Sequence, residues 1–276
     1  MGIKFSISKG TSNENNITDG MSSIDLSKIN HLLIEIFSFL PSKDLLRNSR
    51  LVCKEWRDII DGHSVWKLKC ERERKNIPAI AFEKIPDHYY RKIYLHDPYG
   101  KNLILNPHGE LRFDEWTIDA DGGDGFSVED PPGGADPVPQ EVGSKSCFAT
   151  SYYPCIKHQV IDLFDQGVSK EVLQRKSTKI QIGEWHAARF DCASNYHLHV
   201  QLFDEAYKES EDLNHVCDFQ YREPQWTGKE WHLFTRTFEN VGNIRYVSFQ
   251  DSGHDLQFWA GRYGSKMTGA FVKIIT

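Results

Sequence analysis

His197-Leu198-His199-Val200-Gln201-Leu202 alternates polar and apolar residues without a break. Successive side chains of a β-strand point to opposite faces, so Leu198, Val200 and Leu202 share one face and the histidines the other. The stretches around it read the same way. Val160-Ile161-Asp162-Leu163 and Lys179-Ile180-Gln181-Ile182 are short strands. Residues 244–249 and 270–275 are β-branched or aromatic runs bounded by turn residues. Gly122-Gly123-Asp124-Gly125 and Pro131-Pro132-Gly133-Gly134 supply turns and loops. From residue 99 onward the chain therefore predicts an antiparallel β-sandwich.

Upstream the period changes. Ile29, Leu32, Leu33, Ile36, Phe37 and Leu40 recur at helical spacing. Pro41 stops that helix, and Ser42 is expected to cap the next, which carries Leu45, Leu46, Val52 and Trp56. Gly62 ends that segment, and Ser64 is expected to cap a turn with Val65 and Trp66. So few helices cannot hide this much apolar surface on one another. Either the unit docks on the sandwich or it offers a face to a partner. Residues 75–98 mix charges with Phe82, Tyr89, Tyr90 and Tyr94 and predict a stiff helical linker. Residues 1–27 are polar and aperiodic, a flexible arm. The expected organisation is α+β in two domains: arm 1–27, helical module 28–74, linker 75–98, sandwich 99–276.

Composition narrows the function. The 276 residues are 39% hydrophobic and 26% charged, with a net charge of −6. That balance argues against a nucleic-acid binder held by phosphate neutralisation. No apolar run approaches the roughly 20 residues that cross a bilayer, and the N-terminus does not read as an export leader. Met1-Gly2-Ile3-Lys4-Phe5-Ser6 fits N-myristoylation at Gly2, which would give weak, reversible attachment to a membrane. The expected location is cytoplasmic, including the cytosolic face of membranes. None of the six cysteines forms a C-x-x-C pair. No cofactor motif is present: no phosphate loop, no G-x-S-x-G and no H-E-x-x-H. His197 and His199 have metal-ligand spacing but no third ligand close in sequence, so no metal site is assigned. His186, Asp191 and Cys192 as a hydrolase lack a supporting motif, and Asp251 and Asp255 as glycosidase carboxylates are a weaker reading than solvated loop acids.

The helical motifs, in their order, resemble an F-box. The opening is Ile29-Asn30-His31-Leu32-Leu33-Ile34-Glu35-Ile36-Phe37-Ser38-Phe39-Leu40-Pro41, and the second half is Asp44-Leu45 with Arg50-Leu51-Val52-Cys53-Lys54-Glu55-Trp56-Arg57 and Val65-Trp66. The usual Leu-Pro opening reads His31-Leu32-Leu33 here. The resemblance implies a face for the Skp adaptor of a cullin-based ubiquitin ligase, formed by Leu32, Ile36, Leu40, Pro41, Leu45, Leu51 and Val52. The second half resembles the F-box-associated domain of the sugar-recognising F-box proteins. The residues that carry this are Asn102-Leu103-Ile104-Leu105-Asn106-Pro107-His108-Gly109, Trp116, Gly122-Gly123-Asp124-Gly125-Phe126, Phe148-Ala149-Thr150-Ser151-Tyr152, Gln159-Val160-Ile161-Asp162-Leu163 and Phe258-Trp259-Ala260-Gly261-Arg262-Tyr263-Gly264. That family's fold is a ten-stranded antiparallel sandwich of the galactose-binding-like jelly-roll kind. One member also begins with a myristoylation-type Met-Gly.

The resemblance implies a non-catalytic receptor that takes the inner chitobiose of N-linked high-mannose glycans on misfolded glycoproteins and promotes their ubiquitination and degradation. Its sugar-binding positions fall on Tyr152, Asp191, Phe258 and Trp259. A further one falls on Ala260, where the best-known sugar binder has Lys. A pyranose has an apolar C–H face and a rim of hydroxyls, so a flat indole covers the one and a carboxylate serves the other. The alternatives are an adaptor that reads a protein surface without sugar, and an enzyme acting on glycans.

Overall fold

The structure, a computed structural model, describes residues 26–210 and 212–276. Gly2 and all but the last two residues of the expected arm lie outside them. Among the described residues no helix is long and apolar enough to cross a membrane.

The chain opens with four short helices: α1 (Leu26–Phe39), α2 (Ser42–Arg47), α3 (Lys54–Asp61) and α4 (His63–Arg72). They close on a small core of Phe37, Leu45, Ile60, Val65 and Trp66, with the Trp66 indole donating to the Ile60 carbonyl at 2.6 Å. Pro41 ends α1, and the buried Lys69 amine donates to the freed carbonyl of Leu40 at 2.7 Å and of Ser38 at 3.3 Å. A cation at the negative end of a helix satisfies groups that would otherwise be orphaned. Two expected caps differ. Ser42 is the first residue of α2 and makes no capping bond. Gly62, not Ser64, precedes α4. The expected continuous helix through residue 56 also breaks, with a 3-10 turn at Ser49–Leu51 and a new start where Cys53 Sγ accepts from the Trp56 amide.

The apolar stripe expected along α1 divides. Leu33, Phe37 and Leu40 face the core, while Ile29, Leu32, Ile36 and Phe39 are exposed, as are Leu51 and Val52.

The expected helical linker, 75–98, is an α-helix only over its last part. Residues 73–88 are loop with one 3-10 turn at Phe82–Lys84, followed by α5 (Tyr89–His96). α5 is a rivet rather than a spacer. Tyr90 and Tyr94 pack on the helical core, while Tyr89 and Ile93 sit in the core of the sandwich with Cys70 and Tyr99. Lys92 donates to the Phe164 carbonyl at 2.7 Å, and the Tyr99 hydroxyl accepts from the Ser169 amide at 3.0 Å. Its aromatics read as scattered anchors because the two surfaces they fill are distant in sequence.

The sandwich has ten strands in two antiparallel five-stranded sheets. The first holds β1 (Thr117–Asp121), β4 (Cys155–Asp162), β9 (Ile244–Asp255), β6 (Ser194–Asp204) and β7 (Val216–Glu223), in that order. The second runs β2 (Ser127–Glu129), β3 (Cys147–Ala149), β10 (Lys266–Ile275), β5 (Lys179–Ala187) and β8 (His232–Phe238). Four of the five strand readings fall inside these elements, and the fifth overruns the end of β4 by one residue, Leu163. The alternation that opened the analysis is β6, with Tyr196, Leu198, Val200 and Leu202 inward between β9 and β7.

Polar groups interrupt this core. Lys157, Asp251, Glu184 and Tyr196 lie between the sheets, and the Lys157 amine pairs with Asp251 over the faces of Trp116 and Phe148, 3.4 and 4.2 Å from their centroids. Burial and the Asp251 charge hold the Glu184 carboxyl well above its ordinary range, so it keeps its proton. Glu184 Oε1 and Asp251 Oδ1 are two buried oxygens without a hydrogen-bond partner.

His186, on β5, stacks on Tyr196 at 4.4 Å. Burial, reinforced by His232, pushes its pKa down to about 4 from 6.5. Between those values the unfolded chain takes up a proton that the folded chain refuses. Stability therefore falls as pH drops from 6.5 to 4, and this group adds no further loss below that. At pH 5 its share is about 2 kcal/mol. His186→Phe keeps the stacked ring and removes the titration, so urea unfolding at pH 7 and pH 5 should show a shallower acid loss in the variant. Equal losses would refute the assignment.

Candidate functional site

Strands β1, β3, β5 and β10 meet β4, β6 and β9 at one end of the sandwich, and the loops there carry the residues expected to bind sugar. The helical module docks at the other end, through α5 and the Lys92 amine on the Phe164 carbonyl. β6 is eleven residues long, so about 35 Å separates the two ends.

The loop from β9 to β10, residues 256–265, forms the site's floor. Its base is tied by the Asp255 amide to the Ser151 carbonyl at 2.9 Å and the Gly264 amide to the Thr150 carbonyl at 3.0 Å. The Ser151 hydroxyl reaches the Gly261 carbonyl at 2.6 Å. Gly264 has no room for a side chain, since a Cβ there would stand 2.3 Å from Thr150 Oγ1. The buried Asp255 carboxylate accepts from the amides of Gln257 at 2.9 Å and Phe258 at 2.5 Å. These bonds hold Phe258 at φ +57°, a left-handed conformation that bulky residues avoid at a cost of roughly 1–3 kcal/mol. The strain turns Phe258 and Trp259 outward together.

Both are open to solvent, Phe258 at 64% and Trp259 at 39% exposure. Around them the rings form two edge-to-face contacts. Tyr153 meets Phe258 at 5.9 Å and Tyr152 at 5.2 Å. Tyr263 meets Trp259 at 5.7 Å with their planes 87° apart. Tyr152 itself is half-buried against the 122–125 turn, which is pinned by the Asp124 amide on Ser151 Oγ at 2.9 Å and by Arg262 on the Asp124 carbonyl at 2.7 Å. Ala260 is exposed and offers only a methyl group.

Asp191 reaches the same ledge through a cation. Arg189 clamps its carboxylate at 2.8 and 3.1 Å and lies 4.5 Å over the Tyr263 ring. The guanidinium holds the Asp191 carboxyl below the usual range, so it is ionised at neutral pH. Asp191 is thus not the free acceptor expected of it. Each oxygen keeps one lone pair for a ligand, and the clamp fixes its direction. Beyond it, Phe190 and Trp226 make a second exposed aromatic pair at 6.3 Å, held by the Trp226 amide on the Phe190 carbonyl.

Sequence reasoning missed Arg189, Tyr153, Tyr263 and the Phe190–Trp226 pair. The Arg-x-Asp spacing across a turn and the Tyr within the 258–264 motif were the available signals. The rival catalytic groups are not disposed for chemistry. Burial pushes the Cys192 thiol up to about 12, the opposite of what a nucleophile needs. Asp251 is fully buried in its ion pair and Asp255 in its turn, so they do not flank a cleft.

Of the face expected on the helical module, Leu32 (59% exposed), Leu51 (66%), Ile36, Val52 and Pro41 are all exposed. Leu40 is half-covered. Leu45, expected on that face, is fully buried in the helical core instead. Its position on α2 turns it toward Phe37 and Trp66 while the neighbouring Lys43 and Asp44 take the solvent.

Known proteins share both parts. The F-box associated region model matches residues 94–274, and an F-box-like model matches residues 30–72. F-box only protein 6 of Rattus norvegicus is 35% identical over 248 residues, covering 88% of this chain and 84% of that one. F-box only protein 44 of Homo sapiens is 35% identical over 245 residues, covering 88% and 94%. F-box only protein 27 of Mus musculus is 34% identical over 265 residues, covering 91% of each. Among solved structures, TmCBM61 in complex with β-1,4-galactotriose aligns at 12% identity and a TM-score of 0.39 over 62% of this chain and 97% of that one, a likeness too distant to bear on ligand or mechanism. An F-box-like match at the head of the chain, an F-box associated region over its remaining two thirds and relatives aligned across both together place the chain in one family: it belongs to the F-box only proteins that carry an F-box associated region.

Proposed function

We propose that the chain is a non-catalytic substrate receptor of a Skp–cullin ubiquitin ligase that holds N-linked glycoproteins by the chitobiose core of their glycans. The observation that carries this reading is the strained, solvent-facing aromatic ledge of Phe258 and Trp259. Trp259 stacks on the apolar face of a GlcNAc ring. Tyr152, Tyr153 and Phe258 wall the ring, and Asp191 accepts from hydroxyl or N-acetyl N–H groups. Ala260 contributes no donor.

The exposed face of Leu32, Ile36, Pro41, Leu51 and Val52 takes the adaptor, with Leu40 at its edge. Family membership and the apolar character of this face support that reading. An interface of this kind concentrates its energy in a few central side chains. Leu51→Glu places a charge there without touching the module's core. Co-purification with the Skp adaptor should drop by about tenfold or more, at an unchanged melting temperature. Undiminished capture would move the docking face elsewhere.

The mechanism is proximity. Tethering raises the concentration of substrate lysines near a charged ubiquitin-conjugating enzyme, and the rivet at α5 keeps the two ends at a fixed separation. Misfolded high-mannose glycoproteins bound for degradation are the substrates this reading favours, in the cytosol, with Gly2 as a weak membrane anchor. Reconstituted with adaptor, cullin and conjugating enzyme, the protein should direct ubiquitin onto a high-mannose glycoprotein and not onto the same protein without its glycan. Equal transfer to both favours an adaptor that reads a protein surface. Release of free sugar reveals an enzyme.

A further inference from the structure

On the outward face of β6, His197 and His199 are two residues apart and so lie on the same side of the sheet. No third ligand stands near them in sequence, but the fold brings one. In the antiparallel pairing of β6 with β7, Asp218 stands directly opposite His199 and diagonal to His197. Donor atoms of all three side chains lie within 4.8 Å of one another. His197 Nε2 hydrogen-bonds to Asp218 Oδ1, and the two imidazole centroids are 6.3 Å apart.

We propose that His197, His199 and Asp218 bind a zinc ion. Two imidazoles and one carboxylate are donors that zinc accepts, whereas calcium and magnesium call for oxygen alone. Ligands about 2.1 Å from zinc in a tetrahedron lie about 3.4 Å apart. The widest-spaced donors must therefore close by roughly an ångström, while the hydrogen-bonded His197–Asp218 pair opens to ligand spacing. The histidines are half-exposed and Asp218 is exposed, so side-chain rotation meets no packed wall. The backbone beneath does not have to move, because β6 is paired on both sides. Zinc displaces the proton of the His197–Asp218 bond, which goes to solvent, and water fills the fourth position. The ion clips edge strand β7 to β6. The site lies on the outer face of the sheet, shares no residue with the ledge, and is independent of the carbohydrate reading.

The sheet carries its own control. His158 Nδ1 lies 2.6 Å from Asp119 Oδ2, an imidazole–carboxylate pair without a second histidine in reach. Cys53 is an exposed thiol, a ligand type that zinc accepts, so the test uses the full chain with Cys53→Ser. Calorimetric titration with zinc chloride should show one ion per chain and a rise in melting temperature. His199→Ala and His199→Gln should each weaken binding by about tenfold or more and abolish that rise, while His158→Ala leaves both unchanged. No saturable uptake, or uptake that survives His197→Ala and His199→Ala, would overturn the proposal.

Discussion

Lys157→Ala should destabilise the protein by about 4 kcal/mol at neutral pH, a large share of the 5–15 kcal/mol that holds a typical domain together. Lys157 is fully buried and is the counter-charge of Asp251. Removing it strands an ionised carboxylate between two apolar sheets and empties the space above Trp116 and Phe148. Lys157→Met separates the two effects, because it fills the space and still strands the charge. It should recover only part of the loss. Lys157→Met combined with Asp251→Leu and Glu184→Leu removes the whole ionic cluster and should recover most of it, since replacing a buried ion pair by apolar groups is often neutral. Urea unfolding of the four proteins measures this. A loss below about 1 kcal/mol in Lys157→Ala would mean that Asp251 is held neutral by a second proton instead.

Trp259→Ala should weaken binding of a chitobiose-bearing glycopeptide by about 100-fold while leaving the melting temperature unchanged. The indole is part of the open ledge, so truncating it removes stacking area without opening the core. Asp191→Asn tests the polar half of the site. It keeps the side chain's shape and halves its acceptors, and it frees Arg189 to swing off Tyr263. Its loss should be smaller, about tenfold. Ala260→Lys offers a charged donor where there is now a methyl group and should tighten binding by about tenfold. Calorimetry on the full chain reads all three. Trp259→Ala binding as well as the parent would remove the ledge from the account.

The sheet order was not legible in the sequence, but five of the ten strands were. Alternation at 197–202 is a local signal, and both faces of β6 could be assigned from it. That Asp218 would stand opposite His199 depends on the register of β7, which no local pattern carries. The same distinction explains α5. Tyr89, Tyr90, Ile93 and Tyr94 are regularly spaced, but their two destinations are cores made of residues far away in the chain. A fragment cut at residue 101 would strip Tyr89, Ile93 and Tyr99 from the sandwich, so binding studies belong on the full chain. On the helical module, apolar content foretold a surplus face, and Leu45 shows where content stops short: it does not say which side of a short helix looks inward. In the candidate site, Trp259 and Phe258 came from a motif. The clamp of Arg189 on Asp191 came only from the loop's geometry.

A glycan array probed with the full chain tests the central claim most directly. The account predicts signal on glycans whose reducing-end GlcNAc pair is accessible, and none on glycans that lack it. Silence across the array, or equal signal on glycans without that pair, would contradict it.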